Sequence, residues 1–337
     1  MKKTIIGAAA VLAGATALTT TAASAMECGD VTMAEWNWAS GELMANVDKL
    51  ILEAGYGCNV ELIVGGTTQI FAAMDEKGTP EIAGELWANA VQEPLAKGVD
   101  EGRLHRVNGG PITGLGEGWW VTPAFIEKHP ELDTVEKILD RPDLFPSADD
   151  ASRGAFLGCP AGWGCQLSNA NLFRAFDMEA KGWDLIDPGS AAGLDGAWTK
   201  AAERGEFAFG YYWNPTSLVG KLGLTQIPWE TPFVGNEHWD SCIVKPEQEC
   251  AEPKPSAYVE SEVNTVVTDS FMKKSSVAAE YLAARVFPGE VMNAMLVYMA
   301  DEQASGEDAA VEFLKTQGDV WKAWVPADVA AKIEASL

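Results

Sequence analysis

The chain is poor in histidine, poor in cations, and has only one long apolar run, at its very start. Its three histidines, His105, His129 and His238, lie in polar stretches beside Arg, Lys or Glu and read as solvated surface residues. No His-Glu-x-x-His helix, Gly-x-Ser-x-Gly elbow or phosphate-binding glycine loop is present, so metalloprotease, esterase and nucleotide chemistry have no motif to rest on. Lys and Arg number 24 against 49 Asp and Glu, for a formal net charge of −25. That balance argues against nucleic acid and anionic lipid as partners, since both need basic patches. With so many carboxylates, their presence alone says nothing of glycoside hydrolysis, which needs a placed pair. No Cys-x-x-Cys pair occurs among the six cysteines, which with so little histidine argues against a zinc site. The acidic stretches at Asp149-Asp150 and 247–252 offer calcium ligands on paper, but solvated charge is the simpler reading. Neither a metal nor a cofactor is expected.

What is present begins with an export signal. Lys2 and Lys3 precede an apolar, alanine-rich segment at 5–18, and Ala23-Ser24-Ala25 supplies a small-x-small cleavage pattern. Gly7, Gly14 and the threonines at 19–21 keep that segment too short for a membrane anchor. Cys28 follows Met26-Glu27, so no lipobox places a lipid there. The expectation is cleavage after Ala25 and a soluble periplasmic protein, about two charges more negative once both lysines leave. Residues 26–337 suffice for two domains of ordinary size. Exported chains usually pair their cysteines. Spacing favours Cys159 with Cys165 around a Pro-Ala-Gly-Trp-Gly turn, Cys242 with Cys250 around a polar loop, and Cys28 with Cys58, each opening a strand.

Strand-like and helix-like segments then alternate. Residues 31–38, 59–64 and 81–87 read as strands, 42–54 and 67–77 as helices, with Gly55-Tyr56-Gly57 ending the first helix. This βαβαβ series predicts a mostly parallel sheet covered by helices on both faces. After residues 114–121 a second region carries helices at 134–139, 166–176 and 193–204 and an apolar strand at 207–213. A β-branched run at 262–268 precedes a helix-rich C-terminus able to pack back on the first sheet. Two α/β lobes with a ligand cleft between them is the simplest arrangement, with residues 26–118 and 267–337 in one lobe and 119–266 in the other.

Thirteen tryptophans stand out. Trp38 and Trp87 end predicted strands, Trp119 sits at the passage between lobes, Trp163 lies in the cysteine-bracketed turn, and Trp213 ends the apolar strand. Any one of them fits an ordinary core. Five at cleft-proximal positions, flanked by Asn37, Ala39, Ala88, Asn89, Gly162, Gly164 and Asn214, point to an aromatic cage. Such a cage suits a methylated cation: indole faces offer apolar contact and a negative quadrupole, about 0.5–2 kcal/mol per face. The turn feeds into a helix, so its backbone N–H groups present the positive dipole end to an anionic or oxide tail.

The motifs Gly-Cys-Pro-Ala-Gly-Trp-Gly-Cys (158–165), Glu-Leu-Trp (85–87) and Tyr-Tyr-Trp-Asn-Pro (211–215) resemble those of substrate-binding proteins of glycine betaine, choline and trimethylamine N-oxide importers. The resemblance runs over nearly the whole mature chain. It implies two α/β lobes of the periplasmic-binding-protein type, joined by two crossing strands and closing on ligand before docking on an inner-membrane ABC permease. It implies cage walls at Trp87, Trp163 and Trp213, a carboxylate-binding backbone at Gly164 and Cys165, and further walls at Trp38 and Trp119. Two positions depart from it: Val91 stands where betaine-binding relatives have a histidine, and Ser40 where choline-binding relatives have an acid. Five indoles with Glu85 near the cleft suit a compact head, which ranks trimethylamine N-oxide ahead of glycine betaine. Glu85 reads equally as a support for the Trp87 strand end. No catalysis is expected, and the binding unit is expected to be a monomer. The rival readings are a secreted carbohydrate-binding protein or glycoside hydrolase using tryptophan platforms, and a periplasmic partner protein without a small ligand.

Overall fold

A strand buried on both faces needs cover from two sides, and β1 (Gly29–Trp36) is buried or half-buried from Val31 onward. It lies between β2 (Cys58–Gly65) and β3 (Ile82–Trp87) and runs parallel to both. Helices Ala39–Tyr56 and Thr67–Lys77 make the two crossovers, as parallel neighbours require. The first helix ends where Gly57 takes a left-handed φ of 69° and returns its N–H to the carbonyls of Glu53 and Leu52. The computed structural model describes residues 28–337 and Met1; the expected signal segment and its cleavage after Ala25 otherwise lie outside the described residues.

Two sheets follow one plan. The first has the order β2-β1-β3-β10-β4, where β4 is Leu104–Asn108 and β10 is Val263–Thr268. The second has the order β7-β6-β8-β5-β9, built from β5 (Gly116–Val121), β6 (Gly154–Leu157), β7 (Trp183–Ile186), β8 (Phe209–Asn214) and β9 (Thr225–Gln226). In each sheet a parallel trio is followed by one antiparallel strand, β10 or β5. The chain leaves the first sheet after β4 and returns to it with β10. The expected lobe borders at 118/119 and 266/267 fall inside β5 and β10, each of which belongs whole to a single sheet.

The C-terminal helices Gly306–Thr316 and Ala327–Ser336 pack on helix Ala39–Tyr56, joining Phe313 and Ile333 to Leu43, Val47 and Ile51 in one core. All three expected disulfides form, Cys28–Cys58, Cys159–Cys165 and Cys242–Cys250. The first ties the paired starts of β1 and β2. Among the described residues no helix is long and apolar enough to cross a membrane.

Beneath the first sheet lies a fully buried ion pair. Arg285 Nε stands 2.9 Å from Asp48 Oδ1, both side chains being 0% exposed, although the Nε–H is not aligned for a hydrogen bond. The guanidinium donates instead to the Gly84 carbonyl at 3.1 Å and to Thr265 Oγ1 at 2.8 Å. Tyr281 donates its hydroxyl to Asp48. Burial pushes the Asp48 carboxyl up, against the pull of Arg285 and Tyr281.

Candidate ligand-binding site

Four tryptophans reach one cavity by two structural routes. Trp38 and Trp163 are the residues immediately before helices Ala39–Tyr56 and Gly164–Ala175, which follow β1 and β6. Trp87 closes β3, and Trp213 is the next-to-last residue of β8. Because β1 and β6 are central in their trios, and β3 and β8 lie beside them, each sheet contributes one helix-start indole and one strand-end indole. The cavity they line, with Trp239 and Tyr258, holds about 460 Å³ of space free of protein atoms, its mouth included. Trp163 meets Trp38 edge-on at 5.3 Å and 74°, and Trp213 edge-on at 5.1 Å and 84°. Each edge-to-face contact occupies one face of one ring and leaves the other ring of the pair both its faces as far as that contact goes. Behind Trp38, Trp36 stacks at 5.0 Å and 17° and backs the wall.

The stapled turn crosses from the second sheet to the first. Trp163 Nε1 donates to Asn37 Oδ1 at 2.7 Å, and the Gly162 carbonyl accepts from Thr68 N–H at 3.2 Å and Oγ1 at 3.1 Å. Gly164 is required by this closeness, since a side-chain carbon there would collide with Ala90. The helix it opens has no capping side chain, so the first-turn amides of Gly164 and Cys165 stay available beside the cavity they line.

Two buried glutamates stand at different depths. Glu117 lines the cavity; its carboxylate accepts from Tyr211 Oη at 2.9 Å and Asn89 Nδ2 at 3.2 Å. Burial pushes its carboxyl up to about 7 despite those bonds. Glu85 is 0% exposed and does not line the cavity. Its Oε1 accepts from Trp38 Nε1 and Trp87 Nε1, both at 2.9 Å, and from Ser40 Oγ at 2.8 Å. Burial pushes its carboxyl up as well, against those bonds. Among the described residues no group of three or more His, Cys, Asp or Glu side chains is placed to hold a metal.

A family model described as the substrate-binding domain of ABC-type glycine betaine transport systems, OpuAC, matches residues 29–316. The chain belongs to this family. Similar solved structures include the glycine betaine/L-proline-binding protein ProX from Borrelia burgdorferi, at 15% identity over 90% of this chain and 99% of that one, with a TM-score of 0.70. An ABC-transporter choline-binding protein in complex with choline is 16% identical over 92% of this chain and 98% of that one, also at a TM-score of 0.70. Lactococcal OpuAC, closed on glycine betaine, is 16% identical over 88% of this chain and 100% of that one, at 0.64. Among curated proteins none matches by sequence. The fold is thus the two-lobed α/β fold of these binding proteins, and OpuAC members are transport components, not enzymes. Glu117 is the sole carboxylate among the residues lining the cavity, so the two-carboxylate chemistry of glycosidases has no partner there.

Trp119, expected as a wall, is not one. It is 0% exposed, packs against Phe156 at 4.6 Å and Trp229 at 4.6 Å, and donates Nε1 to Asn169 Oδ1 at 2.7 Å. The reason is strand direction. β5 runs antiparallel to β8, pairing Glu117 with Trp213 and Trp119 with Tyr211, so the cleft end of β5 is its beginning. Trp119→Phe is therefore expected to leave ligand affinity within twofold while lowering unfolding free energy by about 1–3 kcal/mol; calorimetry and urea denaturation check the two halves. Glu85 likewise sits behind the cage, where Ser40 also bonds it, and Val91 is a core residue. Sequence reasoning missed Glu117, Asn89, Tyr211, Trp239 and Tyr258. Tyr211 shares a strand face with Trp213, which was a readable signal, whereas Trp239 opens a short π-helix, Trp239–Ile243, and Tyr258 lies in irregular chain. Trp239 Nε1 donates to the Asn89 carbonyl at 3.2 Å, and Tyr258 Oη pairs with Ser168 Oγ at 2.8 Å.

Proposed function

We propose that this chain captures a small methylated ammonium or N-oxide compound outside the cytoplasm for an ABC importer, with trimethylamine N-oxide ranked ahead of glycine betaine. The observation that carries the ranking is Glu117. A trimethyl head needs only apolar, electron-rich walls, and the four indoles supply them. An oxide oxygen needs a donor, and a carboxyl raised to about 7 is largely neutral below that pH and can donate. The open amides of Gly164 and Cys165 serve a carboxylate tail and keep glycine betaine second. Export by residues 1–25, a monomeric binding unit, closure of the two lobes over the ligand and docking on an inner-membrane permease complete the proposal.

Proton linkage separates the candidates. A ligand that accepts a hydrogen bond from neutral Glu117 should bind more weakly as pH rises through about 7, approaching tenfold per pH unit. Choline, a permanent cation without an anionic end, should bind more tightly over the same range. Tyr211 and Tyr258 stay neutral there, because burial holds both hydroxyls well above 10. In the empty protein the same raised carboxyl favours folding when protonated. Its contribution is full below pH 4.5 and is lost as pH rises through about 7. Calorimetry from pH 5.5 to 8.5 with trimethylamine N-oxide, glycine betaine, choline and dimethylsulfoniopropionate decides the matter. Micromolar binding of trimethylamine N-oxide that weakens with pH is the expected result. Silence toward all four compounds would overturn the function, and a flat pH profile would remove Glu117 from tail recognition.

A further inference from the structure

We propose that Glu85 is the buried counter-charge of the cage, acting through two indole N–H groups to fix Trp38 and Trp87 and to make their faces more negative toward a cationic head. This rests on the cage reading above and assigns to the side of the first sheet a role in charge recognition that no lining residue there performs. Glu85 touches no ligand; it is a positioning residue.

The argument starts from what surrounds the carboxylate. Three donors converge on Oε1, those of Trp38, Trp87 and Ser40, while Oε2 is buried with no partner. An ionised carboxylate is acceptor-only and accommodates such a ring of donors; a protonated one would carry an O–H with nowhere to donate. Burial opposes that charge, the three hydrogen bonds and the field of Arg285 favour it, and no cation forms an ion pair with it. Arg285 is the one buried Lys or Arg among the described residues, and Asp48 already neutralises it. A buried charge without a partner is costly. Two of the three groups that bond it are the walls where a cationic head docks, so an onium ligand supplies the missing compensation. An N–H bonded to a carboxylate also pushes electron density into the indole, which strengthens its attraction for a cation. The device is one-sided: Trp163 gives its N–H to the neutral amide of Asn37 instead.

The test is Glu85→Gln, which keeps an acceptor for both indoles and removes the charge. Affinities are measured for each ammonium or N-oxide compound that binds and for its carbon isostere. The isosteres are tert-butanol for trimethylamine N-oxide and 3,3-dimethylbutan-1-ol for choline, titrated by competition at millimolar concentration. We expect a loss of about tenfold for the ammonium ligand and less than twofold for the isostere. Equal losses would mean that Glu85 only holds shape, and no loss in either would mean that it does nothing for binding; both outcomes overturn the proposal. A ligand-free readout stands beside this one. In ¹⁵N-resolved spectra the Trp38 and Trp87 indole N–H signals, assigned through Trp38→Phe and Trp87→Phe, should lie downfield of exposed indoles and move upfield in Glu85→Gln. Signals at the ordinary position in the unaltered protein overturn the proposal even if the variant fails to fold. Should the unaltered protein bind none of the ammonium compounds, the function fails, and the indole signals still decide whether Glu85 clamps the walls.

Discussion

Trp163→Ala will weaken ligand binding by about a hundredfold. Three contributions leave together with this side chain. One is an indole face worth about 0.5–2 kcal/mol to a desolvated cation. Another is the edge packing that sets Trp38 and Trp213 on either side of it. The last is the 2.7 Å bond to Asn37, worth about 1 kcal/mol and made between the two lobes. A combined loss of about 3 kcal/mol corresponds to roughly two decades in Kd. The parts separate by substitution: Asn37→Ala removes only the cross-lobe bond and should cost five- to tenfold, and Trp163→Phe should fall between the two. Titration calorimetry at a fixed pH reads all three. Trp163→Ala binding within threefold of the unaltered protein would show that the indoles do not form the binding surface.

Arg285→Leu is expected to cost about 3–5 kcal/mol of stability, because it strands Asp48 as a buried charge without its cation. Asp48 is fully buried, and its remaining partner, the Tyr281 hydroxyl, cannot neutralise it. The loss should be read as a lower urea midpoint with an unchanged slope. Adding Asp48→Asn should restore part of it, since the stranded charge goes too. A single variant within about 1 kcal/mol of the unaltered protein would mean that water reaches the pair.

The parts of the fold legible in the sequence were those whose cause is local. Alternation and helical spacing marked β1, β2 and β3 with their crossovers, Gly57 ended the first helix, and short spacing paired two of the three disulfides. Strands β6 and β7, of four residues each, carry too few side chains to show a period. Direction was hidden as well. Nothing within residues 116–121 reveals that β5 runs antiparallel, and that alone decides that Glu117 and not Trp119 faces the cavity. Four of the five expected tryptophans do meet there, because chain breaks before helices and at strand ends mark cleft positions in α/β sheets. Trp239 is brought to the same cavity by a π-helix of five residues and Tyr258 by irregular chain, neither of which offers a period to be read.

The two sheets also answer why a ligand's two ends are read by unlike means. Trp213 pairs with Glu117 on β5, and the matching place in the other sheet, the partner of Trp87 on β10, is Val263. Under the proposed function, a trimethyl head, which looks nearly the same from every side, is expected at walls that the duplicated plan repeats. A tail has one direction, and the proposal places it where the repetition fails. Under the proposed function, single substitutions at the unmatched positions 117 and 263 are expected to change ligand preference while the four indoles stay in place.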